Sequence, residues 1–368
     1  MTPEYPRHLL PLGMRQMRLT LATGISMHVL VQDPAQNWNG VTVVFVHGFP
    51  ELSVSWTIQM EAMAKLGFRA IAPDMRGYGF SDAPKEQDAY HLQYLTEDLC
   101  ALLDNLGIEK AVFVGHDWGG FVVWGQVFHN EHRCLGAAVL NTPLSSWSEL
   151  RPVWTAAECK GPIEYFMKHP TVDAGQLDYQ VYFQSDDAVK ELEMDVRRTI
   201  HAFFRAQLAK FTPEERLASM QSGMRTAKAR KDGNRGVLHY APKDLARDPL
   251  WPEAEVEMYV TAFERSGFFG PLSWYRNVDG NLAWQEANQC APGVSGCKVV
   301  EVPCLMVTAE WDVVLNPAAS NGMEAYFSNL SRGHVMCGHW VQRESPEETN
   351  LLLAKWMATH FVSTSPKL

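Results

Sequence analysis

An apolar run, Ala111-Val112-Phe113-Val114, passes directly into Gly115-His116-Asp117-Trp118-Gly119-Gly120, and this junction constrains the fold more than any other segment. A buried strand must become a helix within about one residue there. Small residues on both sides suit a strained turn in which a Cβ would collide with the neighbouring backbone. The layout is small–x–nucleophile–x–small, with Asp117 at the tip. Taken alone, Asp117 fits an N-cap on a strand–helix loop equally well. In either role, a nearby helix N-terminus favours its ionised form.

The flanking segments alternate between strand and helix. Residues 17–32 form an alternating apolar–polar hairpin with its turn at Gly24. Val-Thr-Val-Val-Phe-Val at 41–46 is continuously apolar, as suits a strand covered on both faces of a mostly parallel sheet. Helices are predicted over about Val54–Leu66, over Leu95–Leu106 and from Gly119, with strands at Arg69–Ala72, 111–115 and 136–141. Short connections between them imply crossover units and a doubly wound sheet. From about Pro143 to Ala291 the alternation gives way to a helical stretch with aromatic anchors Trp147, Trp154, Phe166, Trp251, Phe263, Trp274 and Trp284. One helix there has Pro252 in its first turn, Val256, Tyr259, Val260 and Phe263 at helical spacing, and Gly267 as its stop. The sheet pattern resumes at 302–310, followed by a helix near Pro317–Phe327, a short strand near Gly333–Met336 and a last helix near Pro346–Phe361. The expected organisation is a core of residues 1–143 and 292–368 interrupted by a helical cap, 144–291. An insertion after the sixth strand lies over the carboxyl ends of the strands, where such sheets hold ligands.

Other residues give Asp117 a chemical setting. His47-Gly48-Phe49-Pro50 follows the strand at 41–46. Its Phe49 amide and the Trp118 amide form the expected oxyanion hole. Asp312 lies just past the 302–310 strand and His339 follows in Cys-Gly-His-Trp, giving the order nucleophile, acid, histidine. Glu310 is a rival acid, and His116 is read as structural. A carboxylate that attacked an acyl carbonyl would form an anhydride, whereas displacement at saturated carbon forms an ester that water can hydrolyse. The electrophile is therefore an epoxide or a halide. An epoxide oxygen calls for acidic donors such as phenols, and a halide for apolar or N–H donors.

Taken together, HGFP, DMRGYG (74–79), GHDWGG, LNTP (140–143), DYQVYFQ (178–184), SGFFGPLSWYRN (266–277), VTAEWDVVL (307–315) and GHVMCGHW (333–340) resemble the soluble-type epoxide hydrolases. The likeness is to the hydrolase domain of the animal soluble enzymes, from roughly Pro11 to Phe361. It implies an α/β-hydrolase fold: a mostly parallel eight-stranded sheet, helices on both faces and a helical cap. It implies that Tyr179 and Tyr275 donate to the departing oxygen, with Tyr182 close to Tyr179 in sequence and Tyr259 read as helix core. It also implies that Trp118, Phe121, Thr142, Phe183 and Trp340 line the substrate pocket. The resemblance does not extend to the phosphatase domain fused to the vertebrate enzymes, so no lipid-phosphate phosphatase activity is expected. The segment between LNTP and DYQ and the loop around Cys290–Cys297 are longer than in those relatives, which leaves the preferred epoxide open.

The expected reaction takes a small hydrophobic epoxide and water to a vicinal diol through an Asp117 ester, with no metal or organic cofactor. A haloalkane dehalogenase shares the Asp nucleophile, and a non-catalytic protein that binds hydrophobic ligands could share the fold. The formal charge of −10 argues against nucleic acid or anionic membranes as partners. The one basic stretch, Arg225–Arg235, reads as a solvated loop. No apolar run is long enough to span a membrane, and MTPEYPRHLLPLG has no signal-peptide core. The final Ser-Pro-Lys-Leu approaches a peroxisomal address but carries Pro366 where that signal has a small residue, so a cytoplasmic location is expected. Whether Cys290 and Cys297 form a disulfide, and whether the chain forms a homodimer, are left open.

Overall fold

The computed structural model describes residues 4–34, 38–144, 155–169, 172, 178–204, 211–226, 236–241, 250–286 and 299–362. Trp147, Trp154, Cys290, Cys297, Pro366 and most of the Arg225–Arg235 stretch lie outside the described residues.

Eight strands form one sheet: β1 (Arg15–Thr20), β2 (Ser26–Gln32), β3 (Thr42–Val46), β4 (Arg69–Pro73), β5 (Ala111–His116), β6 (Cys134–Leu140), β7 (Cys304–Ala309) and β8 (Leu330–Val335). Their spatial order is β1-β2-β4-β3-β5-β6-β7-β8. The β1–β2 hairpin is antiparallel, β2 pairs antiparallel with β4, and every later pair is parallel. Val44 stands between Ile71 and Phe113 in register. Every residue of β3 and β5 is buried, which accounts for their continuous apolar runs.

Three helices follow the early parallel strands: α1 (Thr57–Lys65), α2 (Leu92–Asn105) and α3 (Trp118–His129). Between β6 and β7 come α4 (Pro162–Lys168), α5 (Asp178–Tyr182), α6 (Asp186–Met194), α7 (Val196–Phe203), α8 (Pro213–Thr226), α9 (Glu253–Ser266), α10 (Phe269–Arg276) and α11 (Val278–Glu286). Helices α12 (Val341–Glu344) and α13 (Pro346–Phe361) close the fold. In α9 the expected apolar stripe, Val256, Tyr259, Val260 and Phe263, is buried, and Gly267 ends the helix at φ 69°. Pro252 occupies the N-cap of α9, one position before its first turn.

Specific hydrogen bonds fasten the inserted helices to the sheet domain. The Tyr259 and Ser55 hydroxyls are 2.7 Å apart. Trp274 Nε1 donates to Arg76 O at 3.2 Å, and Arg265 Nη1 donates to Gly79 O at 2.8 Å. The Leu92 amide donates to Asn281 Oδ1 at 2.9 Å.

The segment Pro317–Phe327 departs from the helix expected there. It forms two 3-10 turns, Pro317–Ser320 and Met323–Tyr326, separated by Gly322 at φ 82°. A left-handed residue breaks the helical ladder, and the apolar spacing across it does not reveal the break. Strand β8 also begins three residues earlier than its sequence suggests, because its first residues are only partly buried and carry little apolar signal.

The elbow leaves no room for side chains on its glycines. A Cβ on Gly119 would come within 2.0 Å of Val46 O. Gly119→Ala is therefore expected to destabilise the protein by on the order of 1–3 kcal/mol through overpacking, read as a lower urea midpoint at unchanged slope.

Candidate active site

Asp117 occupies the single residue between β5 and α3, at φ 50° and ψ −124°. Non-glycine residues avoid positive φ, so the surroundings must hold this turn in place. The Gly120 amide and the Thr142 hydroxyl both donate to Asp117 O, at 2.9 and 2.7 Å. The turn projects the carboxylate toward the Phe49 amide, which donates to Oδ1 at 2.9 Å. Burial pushes the Asp117 carboxyl above its ordinary value. The charges of His339 and His116 and the amides of Phe49 and Trp118 pull the other way without cancelling it.

His339 stands between two carboxylates. Its Nε2 is 3.6 Å from Asp117 Oδ2, and its Nδ1 donates to Asp312 Oδ2 at 2.8 Å. Asp312 Oδ1 accepts the Val314 and Leu315 amides at 2.8 and 2.9 Å, which fixes the acid from behind. Burial lowers the imidazole's affinity for its proton. The Asp312 charge and hydrogen bond, with the Asp117 charge, outweigh that effect and raise His339 to about 9. The rival acid Glu310 is half-exposed and lies 3.3 Å from His334, away from His339.

Two neighbours hold this row in place. Asn141, at φ 66°, donates from Nδ2 to Asp312 Oδ2 and to His339 O, both at 2.8 Å. His116 is buried, with Nε2 2.8 Å from His339 O and Nδ1 2.7 Å from Glu51 Oε2, in keeping with a structural role. Asn141 lies inside the LNTP motif, yet nothing local to that motif marks its bond to an acid 171 positions away.

Tyr179 on α5 and Tyr275 on α10 meet with ring centroids 5.8 Å apart. Tyr275 also packs edge-on against Phe49 and Trp118, at 5.2 and 4.9 Å. Burial raises both phenols, and the Asp117 charge raises them further. Tyr182 interacts instead with Glu191, and Tyr259 with Ser55. The helices carrying the pair clamp one another. Arg276, next to Tyr275, donates to Phe183 O and Ser185 O at 3.0 and 2.8 Å. Gln184 Nε2 donates to Gln180 O at 2.8 Å and to Tyr275 O at 3.3 Å.

A cavity of about 210 Å³ opens beside the carboxylate, with Asp117, Trp118, Phe121, Tyr179 and Gln180 in its wall. The remaining expected lining residues stand around it differently. Thr142 braces the elbow from below, and Phe183 packs between Phe49 and Tyr275 at 5.6 and 5.0 Å. Trp340 is buried beside His339 at 4.6 Å, with its indole N–H on Phe203 O. Among the described residues no group of three or more His, Cys, Asp or Glu could hold a metal ion.

Residues 41–346 match the family model described as alpha/beta hydrolase fold. The chain is 32% identical over 350 residues to Epoxide hydrolase A of Mycobacterium tuberculosis, covering 94% of this chain and 98% of that one. The chain belongs to the epoxide hydrolase family of α/β-hydrolases. This α/β-hydrolase is also 37% identical to Bifunctional epoxide hydrolase 2 of Rattus norvegicus over 94% of its own residues. It spans only 56% of that relative's length, so about half of the longer protein has a counterpart here. Among solved structures, an epoxide hydrolase from an endophytic Streptomyces superposes with a TM-score of 0.75 at 29% identity, covering 94% of this chain and 96% of that one.

The row Asp117–His339–Asp312 also makes a stability statement. A folded-state value of about 9 exceeds the ordinary histidine value near 6.5, so the folded protein binds the extra proton. The resulting stabilisation is complete below about pH 6.5 and is lost as pH rises through about 9. The melting temperature is expected to fall across that window, and to fall less in His339→Gln.

Proposed function

We propose that this chain hydrolyses epoxides to vicinal diols through a covalent ester on Asp117. The observation that carries this reading is one carboxylate with its two oxygens in different surroundings. Oδ1 is held by the Phe49 amide, while Oδ2 faces the His339 imidazole at 3.6 Å.

Ring opening comes first. Asp117 Oδ2 attacks a ring carbon, the C–O bond breaks and its electron pair goes to the oxygen, which takes a proton from the tyrosine pair. Buried phenols whose pKa is raised hold their protons at neutral pH and yield them only as charge develops on the substrate. Esterification removes the Asp117 charge, one of those that keep His339 protonated. The imidazole then gives up its proton, which passes through solvent to the phenolate, and becomes a base.

Hydrolysis follows. His339 takes a proton from water, and the hydroxide attacks the ester carbonyl carbon. The carbonyl oxygen that becomes negative is Oδ1, already at the Phe49 amide and joined by the Trp118 amide. The alkoxide leaves with the proton from His339. The proton left on the Asp117 carboxyl passes to His339, 3.6 Å from Oδ2, which restores the resting state with one water consumed per diol. Each device supports about a 100- to 10,000-fold rate gain.

The setting proposed is cytoplasmic, supported by free thiols at Cys100, Cys134, Cys159, Cys304 and Cys337. No helix among the described residues is long and apolar enough to cross a membrane.

Single turnover with excess enzyme in heavy-oxygen water, on styrene oxide and a lipid epoxide, tests the route. Label is expected in the Asp117 peptide, and label confined to the diol refutes the ester. His339→Gln is expected to accumulate the ester, detected as added mass on the intact protein. Tyr179→Phe with Tyr275→Phe should abolish ring opening. Halide release from a chlorinated alkane as fast as diol formation would favour dehalogenation instead. A purified protein that binds epoxides without turnover would mark a binding protein.

A further inference from the structure

Gln180 follows Tyr179 in α5, and successive residues on a helix ordinarily point in different directions. Here the Gln180 amide turns back, so that Nε2 lies 3.1 Å from the Tyr179 hydroxyl. An amide NH₂ can only donate, so the phenol oxygen accepts and its own proton stays free for another acceptor. The other amide atom, Oε1, is buried and has no hydrogen-bond partner among the described residues. Gln180 also forms part of the cavity wall beside Asp117.

The backbone around this contact is held at both ends. Gln180 O accepts from Gln184 Nε2, which also reaches Tyr275 O, so the donor and both phenols share one frame. A hydrogen bond accepted by a phenol oxygen strengthens as that oxygen becomes negative, which happens when it gives its proton to the substrate. The opposite amide orientation would turn a carbonyl toward the phenol, take up its proton and weaken it as a donor.

We propose that Gln180 is a positioning residue for ring opening, donating to Tyr179 so that this phenol aims its proton at the epoxide oxygen and carries most of the developing charge. The inference rests on the epoxide hydrolase reading above. Both contacts to the Tyr179 oxygen act in the same direction: Gln180 and Tyr275 each lower its pKa against burial and the Asp117 charge.

The test separates the two half-reactions on styrene oxide by quenched flow, reading ester mass on the intact protein. Gln180→Met removes the donor and is expected to slow ester formation about 10- to 100-fold. Ester breakdown should stay unchanged, because His339, Asp312 and the oxyanion amides are untouched. Gln180→Glu offers an acceptor instead and is expected to slow ester formation further. Unchanged ester breakdown also shows that each variant is folded. Ester formation at the wild-type rate in Gln180→Glu, or an equal loss in both half-reactions, overturns the role of Gln180 alone. A wild-type protein that forms no ester with any epoxide overturns the proposed activity and this inference with it.

Discussion

The proton on His339 is the point on which the site depends. Two carboxylates, 2.8 and 3.6 Å away, hold it there against burial. Each has its own scaffold: Asp117 sits on a strained turn between β5 and α3, and Asp312 on a loop after β7 that is tied to Asn141 after β6. Neighbouring parallel strands thus bring three groups from distant sequence into one line. Neutralising either carboxylate would weaken the imidazole's hold on its proton.

The elbow supplies the geometry that this electrostatic arrangement needs. Glycines at 115, 119 and 120 let α3 pack against β3 and β6 at distances that a Cβ would forbid. That close approach brings the Phe49 amide to Asp117 and the Thr142 hydroxyl beneath it. Backbone strain at Asp117 is therefore balanced by hydrogen bonds to its own carbonyl and carboxylate.

Much of this was legible in the sequence because the signals are local. Buried strands read as unbroken apolar runs, the elbow as paired glycines, and Asp312 and His339 as residues just past strands of the expected order. Where a role depends on a distant contact, the sequence is silent. Asn141 meets Asp312 across 171 positions, and Gln184 meets Tyr275 across 91. Residue type alone does not separate Tyr179 from Tyr182, three residues apart; the DYQ resemblance favours the first, and the packing of α5 beside α10 brings it to Tyr275 while Tyr182 meets Glu191. The same limit explains Pro317–Phe327, where one left-handed glycine divides what apolar spacing joins.

The reciprocal clamp between the two tyrosine helices has a wider consequence. Arg276 and Gln184 bond backbone carbonyls, so the grip does not depend on which side chains line the cavity. The inserted helices carry Tyr179 and Tyr275, while the sheet domain carries Asp117, Asp312 and His339. Substitutions in the cavity wall can therefore reshape it while the clamp keeps the two tyrosine-bearing helices together.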